Sequence, residues 1–232
     1  MHIQTLDSFF DKIYVINLPS SVERRNLIIK QFENLNLKNY EVFNAIDKNS
    51  LNINDLKIKK LLAYQGNTFY CDQNCTCGGA GHILSSGDIA LNFSHREIYE
   101  DIIKNNYEKC LIMEDDCIFT DKLNDFDEIT KNIPKDWDFL YLGNSNYINN
   151  NNSSDIGNKF FLKCLGVPCT HMYAININCI ETIKSKMFPI RAAIDGFLHR
   201  FIFEKKLVNN VFICKLTLGI NGSVENIFNK DY

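Results

Sequence analysis

The sequence predicts an α/β fold, a mixed and mostly parallel central sheet flanked by helices, from three observations. Short apolar runs containing β-branched or aromatic residues lie at 13–18, 110–113 and 138–142, each with the length of a buried strand. Stretches with apolar residues at helical spacing stand between them, as in Ile28, Phe32 and Leu35. Strand, helix and strand then follow one another at the N-terminus, which is how a nucleotide-binding α/β sheet opens.

In chain order, Ile13-Tyr14-Val15-Ile16-Asn17-Leu18 reads as a strand that Pro19 stops. Ser20 and Ser21 can cap the first long helix, and Glu23 three residues after Ser20 makes a capping box. A second strand follows at 40–43. A Lys-rich helical stretch covers 56–62, and an irregular Cys- and Gly-rich insertion covers about 65–84. Ser86-Gly87-Asp88 opens a helix whose apolar stripe is Leu91, His95, Ile98 and Ile102. Cys110-Leu111-Ile112-Met113 is a central strand with Glu114-Asp115-Asp116 at its carboxyl end. A short helix at 126–133 and a strand at 138–142, closed by Gly143, come next. The Asn/Ser-rich stretch 144–158 reads as a mobile loop. Strands at 160–164 and 171–175, a helix at 178–187, a helix capped by Asp195 and running to about 206, and a strand at 211–214 complete the chain. There is no repeat and no linker, so residues 1–232 read as one domain.

Composition narrows the function. With 232 residues and 45% hydrophobic content, the chain can bury a core without a metal or disulfide. Its net charge of -3 comes without a long basic run, which argues against nucleic acid as a partner. The first residues lack the basic-then-apolar layout of a signal peptide. No stretch approaches the ~20 apolar residues that span a bilayer. The chain therefore reads as soluble and cytoplasmic, with no membrane span. Among nine cysteines, Cys110, Cys117, Cys179 and Cys214 sit in apolar contexts, as reduced core thiols do.

Glu114, Asp115 and Asp116 are the first candidates for chemistry. Three adjacent acids at the mouth of an apolar strand repel one another, and each needs water, a donor or a cation. Mn²⁺ or Mg²⁺ meets that need and leaves positions for phosphate. In an extended segment alternate residues share a face, which would pair Glu114 with Asp116. A solvated acidic turn has the same spacing; the position beyond a strand's carboxyl end, where α/β sheets bind ligands, favours the metal. Asn17 and Leu18 lead into a helix start carrying Arg24 and Arg25, which suits an anionic nucleotide and equally suits surface arginines. Ser94 and His95 lie mid-helix, where a histidine on an apolar stripe is usually a core residue. Cys71, Cys75, Cys77 and His82 could bind zinc, but they lack the standard ligand spacing, and loop thiols, or a disulfide in an exported protein, fit better. Asp195 and His199 are neighbours four apart on a helix.

Together these segments resemble glycosyltransferase family 25, the lipopolysaccharide and collagen galactosyltransferase group. Tyr14-Val15-Ile16-Asn17-Leu18 with Glu23-Arg24-Arg25 resembles the family's first strand and helix start. Ser86-Gly87-Asp88-Ile89-Ala90-Leu91-Asn92-Phe93-Ser94-His95 resembles its segment ending in Ser-His. Leu111-Ile112-Met113-Glu114-Asp115-Asp116 resembles its Glu-Asp-Asp segment, and Trp137 to Gly143 its Trp-Asp strand. Thr170-His171-Met172-Tyr173 and Ile194-Asp195 are weaker echoes. Ala90-Leu91 replaces the usual Gly-Cys, residues 65–81 have no counterpart, and no C-terminal His is present to complete a metal shell.

The resemblance implies a GT-A-like fold of Rossmann type and an inverting, metal-dependent transferase. Such an enzyme moves galactose or glucose from a UDP-sugar to a hydroxyl of a glycan or glycoprotein. On that basis Asp116 and Glu114 are expected to hold Mn²⁺ (or Mg²⁺), and Asp195 to be the general base. Asn17, Leu18, Arg24, Arg25, Ser94, His95, Glu114 and Asp115 are expected to line the donor site. A binding or assembly module without turnover, or a nucleotide-sugar hydrolase, are the alternatives.

Overall fold

The structure is a computed structural model and describes residues 5–63, 84–143, 152–167 and 170–222. After a single turn of helix, α1 (Leu6–Phe9), strand β1 (Lys12–Asn17) enters the middle of the molecule. Helix α2 (Val22–Asn34) returns the chain to β2 (Tyr40–Asn44), and α3 (Ile53–Ile58) follows. Helix α4 (Ser86–Asn105) leads into β3 (Lys109–Glu114) and the short β4 (Cys117–Phe119). Helix α5 (Phe126–Lys131), β5 (Phe139–Tyr141), β6 (Ser153–Asp155), β7 (Phe161–Cys164) and β8 (Met172–Asn176) come next. Helix α6 (Ile177–Lys186), α7 (Ile194–Phe197) with a π-helical continuation (Leu198–Phe203), β9 (Val211–Cys214) and β10 (Gly219–Asn221) follow.

Eight strands form one sheet in the order β2-β1-β3-β8-β5-β9-β7-β6. Strands β2, β1, β3, β5, β9 and β6 run one way, and β8 and β7 run against them. This is the mixed, mostly parallel sheet read from the sequence. The central strands are buried on both faces, which is why β1 and β3 are written as unbroken apolar runs. One core packs α4, α6 and the α7 segment on the face carrying Tyr14, Ile112, Tyr141 and Tyr173. The other packs α2 and α5 on the face carrying Val15, Met113, Leu140 and Ala174.

The parallel pairing of β1 with β3 places Ile16 opposite Glu114. The carboxyl ends of both strands therefore open at the same rim, with the start of α2 beside them. Helix α4 starts with a reciprocal capping box between Ser85 and Asp88, and its buried residues include Ser94, His95, Ile98 and Ile102.

Several local expectations are corrected. Of the two candidate caps, Ser21 takes the N-cap position of α2 in place of the Ser20–Glu23 capping box; its side chain makes no capping bond, and its N–H donates to Leu18 O at 2.8 Å. The expected loop at 144–158 contains edge strand β6, whose polar residues pair antiparallel with β7. Residues 144–151 of that loop, and the Cys- and Gly-rich insertion with Cys71, Cys75, Cys77 and His82, lie outside the described residues, save Leu84. Ala193 caps α7, so Asp195 stands in the first turn instead of at the cap. Among the described residues no helix is long and apolar enough to cross a membrane. Cys110, Cys117, Cys179 and Cys214 are buried free thiols, as their apolar contexts suggested, and so is Cys164.

Candidate active site

The acidic cluster forms because β3 ends at Glu114 and the chain turns at Asp115 and Asp116 before β4. The extended alternation expected of these three acids therefore does not hold. Glu114 Oε1 accepts a hydrogen bond from Thr170 Oγ1 at 2.8 Å. Asp115 leans the other way: its Oδ2 accepts from Asn17 Nδ2 at 2.7 Å and its Oδ1 from Arg24 Nη1 at 3.3 Å. Asp116 Oδ2 lies 3.8 Å from the same Arg24 nitrogen. Gly222 N, just after β10, donates to the Asp116 backbone oxygen at 2.8 Å.

The cluster borders a pocket of about 450 Å³. Leu18, Ser20, Ser21 and Arg24 form one wall, from the turn after β1 and the first turn of α2. Ala45 to Asn49, after β2, form another, and Gly87, Ala90, Leu91 and Ser94 of α4 close a third. The pocket thus lies beyond the carboxyl ends of β1, β2 and β3, where open α/β sheets take their ligands.

Burial sets the electrostatics. It raises the Glu114 carboxyl to about 7, with the Asp116 charge adding to the rise and the Thr170 hydrogen bond opposing it. Asp115 is also raised by burial, against the pull of Asn17 and Arg24. The Asp195 charge reaches Glu114 and raises it further, which brings the α7 turn into the electrostatics of the cluster.

The expected site residues divide by position. Asn17, at the end of β1, is fully buried and braces Asp115, while its Nδ2 also donates to Ser21 O at 3.2 Å. Leu18, Arg24, Ser94, Glu114, Asp115 and Asp116 line the pocket, and Arg25 is not on its wall. Ser94 Oγ accepts from Ile46 N at 2.9 Å and donates to Ala90 O, fastening the post-β2 segment to α4. His95 is off the wall: it is fully buried, with Nδ1 2.8 Å from the Tyr173 hydroxyl, which lies 2.8 Å from that of Tyr99. Burial lowers the His95 pKa to about 3, so the ring is neutral. Asp195 Oδ1 accepts from Gly196 N at 2.7 Å.

Two groups of residues were given no site role in the sequence reading. The turn Asp47, Lys48 and Asn49 faces the pocket, and its place directly after a parallel strand was the available signal. Thr170 precedes β8 by two residues, and only the antiparallel pairing of β8 with β3 brings it to Glu114.

The donor set is compatible with a hard divalent cation. Asp116 Oδ1 is buried and has no hydrogen-bond partner among the described residues. Among the same residues no three His, Cys, Asp or Glu side chains converge into a complete cage. The open Asp116 oxygen fits Mg²⁺ or Mn²⁺, which commonly take one or two carboxylates and complete their shell with phosphate and water.

The model of glycosyltransferase family 25, described as an LPS biosynthesis protein family, matches residues 10–197. The chain belongs to glycosyltransferase family 25. The match runs from just before β1 to the end of α7, and so takes in every residue that lines the pocket. Relatives in the family include mouse procollagen galactosyltransferase 2, 27% identical over 138 residues, covering 58% of this chain and 21% of that protein. The mouse inactive glycosyltransferase 25 family member 3 is 26% identical over 144 residues, covering 58% and 22%. The matched region thus spans about a fifth of the length of these curated relatives. A solved glycosyltransferase involved in glycosylating the major capsid of PBCV-1 aligns at 10% identity with a TM-score of 0.45, over 90% of this chain and 91% of that one.

Proposed function

We propose that the protein is a metal-dependent glycosyltransferase that moves a hexose, galactose or glucose, from a UDP-sugar to a hydroxyl of a glycan or glycoprotein. The observation that carries this reading is the buried, unpartnered Asp116 oxygen at the rim of a pocket beyond the strand ends, in a chain of a glycosyltransferase family. Asp116 would hold Mn²⁺ or Mg²⁺, with Glu114 beside it, and the cation would supply charge neutralisation for the leaving diphosphate.

The remaining work falls to the chain's own groups. Arg24 and the backbone N–H groups at the start of α2 face the diphosphate. Ala90, Leu91 and Ser94 of α4, with the turn at Asp47 to Asn49, enclose the nucleoside part of the pocket. Asn17 fixes Asp115 so that the turn keeps its shape. Asp195 accepts the proton of the attacking hydroxyl. The sugar passes through an oxocarbenium-like state, as in glycoside hydrolysis.

Transfer of labelled hexose from UDP-galactose or UDP-glucose to glycan and glycoprotein acceptors tests this reading. Label on an acceptor, lost in Asp195→Asn while UDP still binds, supports it. Label released only as free sugar, at a rate indifferent to acceptor, would instead make the protein a hydrolase. A second reading follows from the relatives named inactive: a fold that binds nucleotide or glycan without turnover. UDP binding with no product from any donor and acceptor pair would select it.

A further inference from the structure

Helix α4 lies between two parts of the site. It packs against the turn at 48–50 and against the α7 turn. Successive residues on a helix are about 100° apart, so Asn92 and Ser94 point to nearly opposite sides of α4. Both are buried, at 2% and 0% exposed, and each bonds to a different neighbouring segment.

Ser94 Oγ accepts from Ile46 N at 2.9 Å and donates to Ala90 O at 2.9 Å. Its one proton is therefore engaged within α4. The bond from Ile46 holds the backbone just ahead of Asp47, Lys48 and Asn49, which face the pocket. Ala45 N, bonded to Asn17 O at 2.9 Å, holds the same segment from the β1 side.

Asn92 makes the corresponding link on the other side. Its Nδ2 donates to Asp88 O at 2.9 Å and to Ala192 O at 3.0 Å, which engages both amide protons. Ala192 is fully buried and precedes Ala193, the N-cap of α7. Asp195 stands in the first turn that follows. The Asn92 bond thus fixes where the chain enters α7, and with it the start of the turn that carries Asp195.

We propose that Ser94 and Asn92 are positioning residues that make α4 a spacer between the nucleoside wall of the pocket and the Asp195 turn. Ser94 acts through Ile46 and sets the wall. Asn92 acts through Ala192 and sets Asp195. This inference rests on the roles that the turn at Asp47 to Asn49 and Asp195 have under Proposed function.

The test measures UDP affinity by calorimetry, with donor KM and kcat for transfer, on the full chain as wild type and as three single variants. In Ser94→Ala the UDP dissociation constant and donor KM are expected to rise about tenfold, as the loss of one hydrogen bond allows. The kcat of that variant should fall by less than about threefold, because the loss is in donor binding. Ser94→Thr keeps the hydroxyl and should restore most of the affinity. Asn92→Ser keeps a bond back to Asp88 O, as helical serines do, but is too short to reach Ala192. It should bind UDP as the wild type does and lose about tenfold in kcat, since a misplaced base costs rate. Its retained UDP binding, and the retained kcat of Ser94→Ala, also report that each variant is folded. Unchanged UDP affinity in Ser94→Ala, no recovery in Ser94→Thr, or unchanged kcat in Asn92→Ser overturns the spacer while leaving the transferase standing. No transfer by the wild type overturns the transferase reading and the spacer with it.

Discussion

The side-chain amide of Asn17 donates to the carboxylate of Asp115 at 2.7 Å, joining the ends of two parallel strands that lie 98 residues apart in the sequence. Asn17 is fully buried, and Asp115 is raised by burial and lowered by this bond. Asn17→Ala leaves a buried carboxylate with one partner fewer and is expected to cost about 1–3 kcal/mol. Chemical denaturation of the metal-free protein measures it. A loss below ~0.3 kcal/mol would mean that the bond does not hold the turn.

Asp116→Asn keeps the size of the side chain and removes its charge. The fold should survive with a melting temperature within a few degrees of the wild type, while metal-dependent turnover disappears. Wild-type turnover in this variant would remove Asp116 from the metal site.

Gly143 lies where a side chain has no room. An added Cβ would fall on the His171 ring and come within 2.9 Å of the Gly219 backbone oxygen. His171 cannot easily yield, because it is buried and its Nε2 lies 3.0 Å from the Gly219 oxygen. Gly143→Ala is expected to destabilise the protein by about 1–3 kcal/mol through overpacking. At Gly87, by contrast, the nearest contact is Ser85 Oγ at an ordinary 3.4 Å, and Gly87→Ala should be neutral or slightly stabilising. Equal melting temperatures for the two variants would contradict the packing described.

The pH dependence of stability carries two opposite contributions. His95 has its pKa lowered from 6.5 to about 3, so the unfolded chain binds the extra proton and stability falls as pH drops through that window. Glu114 has its pKa raised from 4.5 to about 7, so the folded chain binds the extra proton and stability falls as pH rises through that window. Each full proton difference corresponds to a slope of about 1.4 kcal/mol per pH unit. Without metal, between pH 4.5 and 6.5, Glu114→Gln should make stability rise more steeply with pH. His95→Asn should make it rise less steeply. Unfolding curves at half-unit intervals read both slopes, and shifts in the same direction would contradict the assignment.

Much of this architecture was legible in the sequence because it is local. β1, β3 and β9 announce themselves by apolar runs, and α4 by its capping residues and its buried stripe. The pocket followed from one rule, that α/β sheets bind ligands beyond their strand ends. What was not legible depends on contacts distant along the chain. Thr170 reaches Glu114 only because β8 is inserted antiparallel beside β3. Arg24 reaches two acids at once because the chain turns at Asp115 instead of continuing as a strand, and three acidic letters do not say which. The polar edge strand β6 gave no period-2 apolar signal, because its backbone pairing with β7 needs none.

The central claim, a metal-dependent sugar-nucleotide site at Asp116, is tested most directly by UDP release from a panel of UDP-sugars, first with Mn²⁺ and then with EDTA. Release from one or two hexose donors that EDTA abolishes is the expected result. Release that persists undiminished in EDTA, or no release together with no UDP binding under either condition, would contradict it.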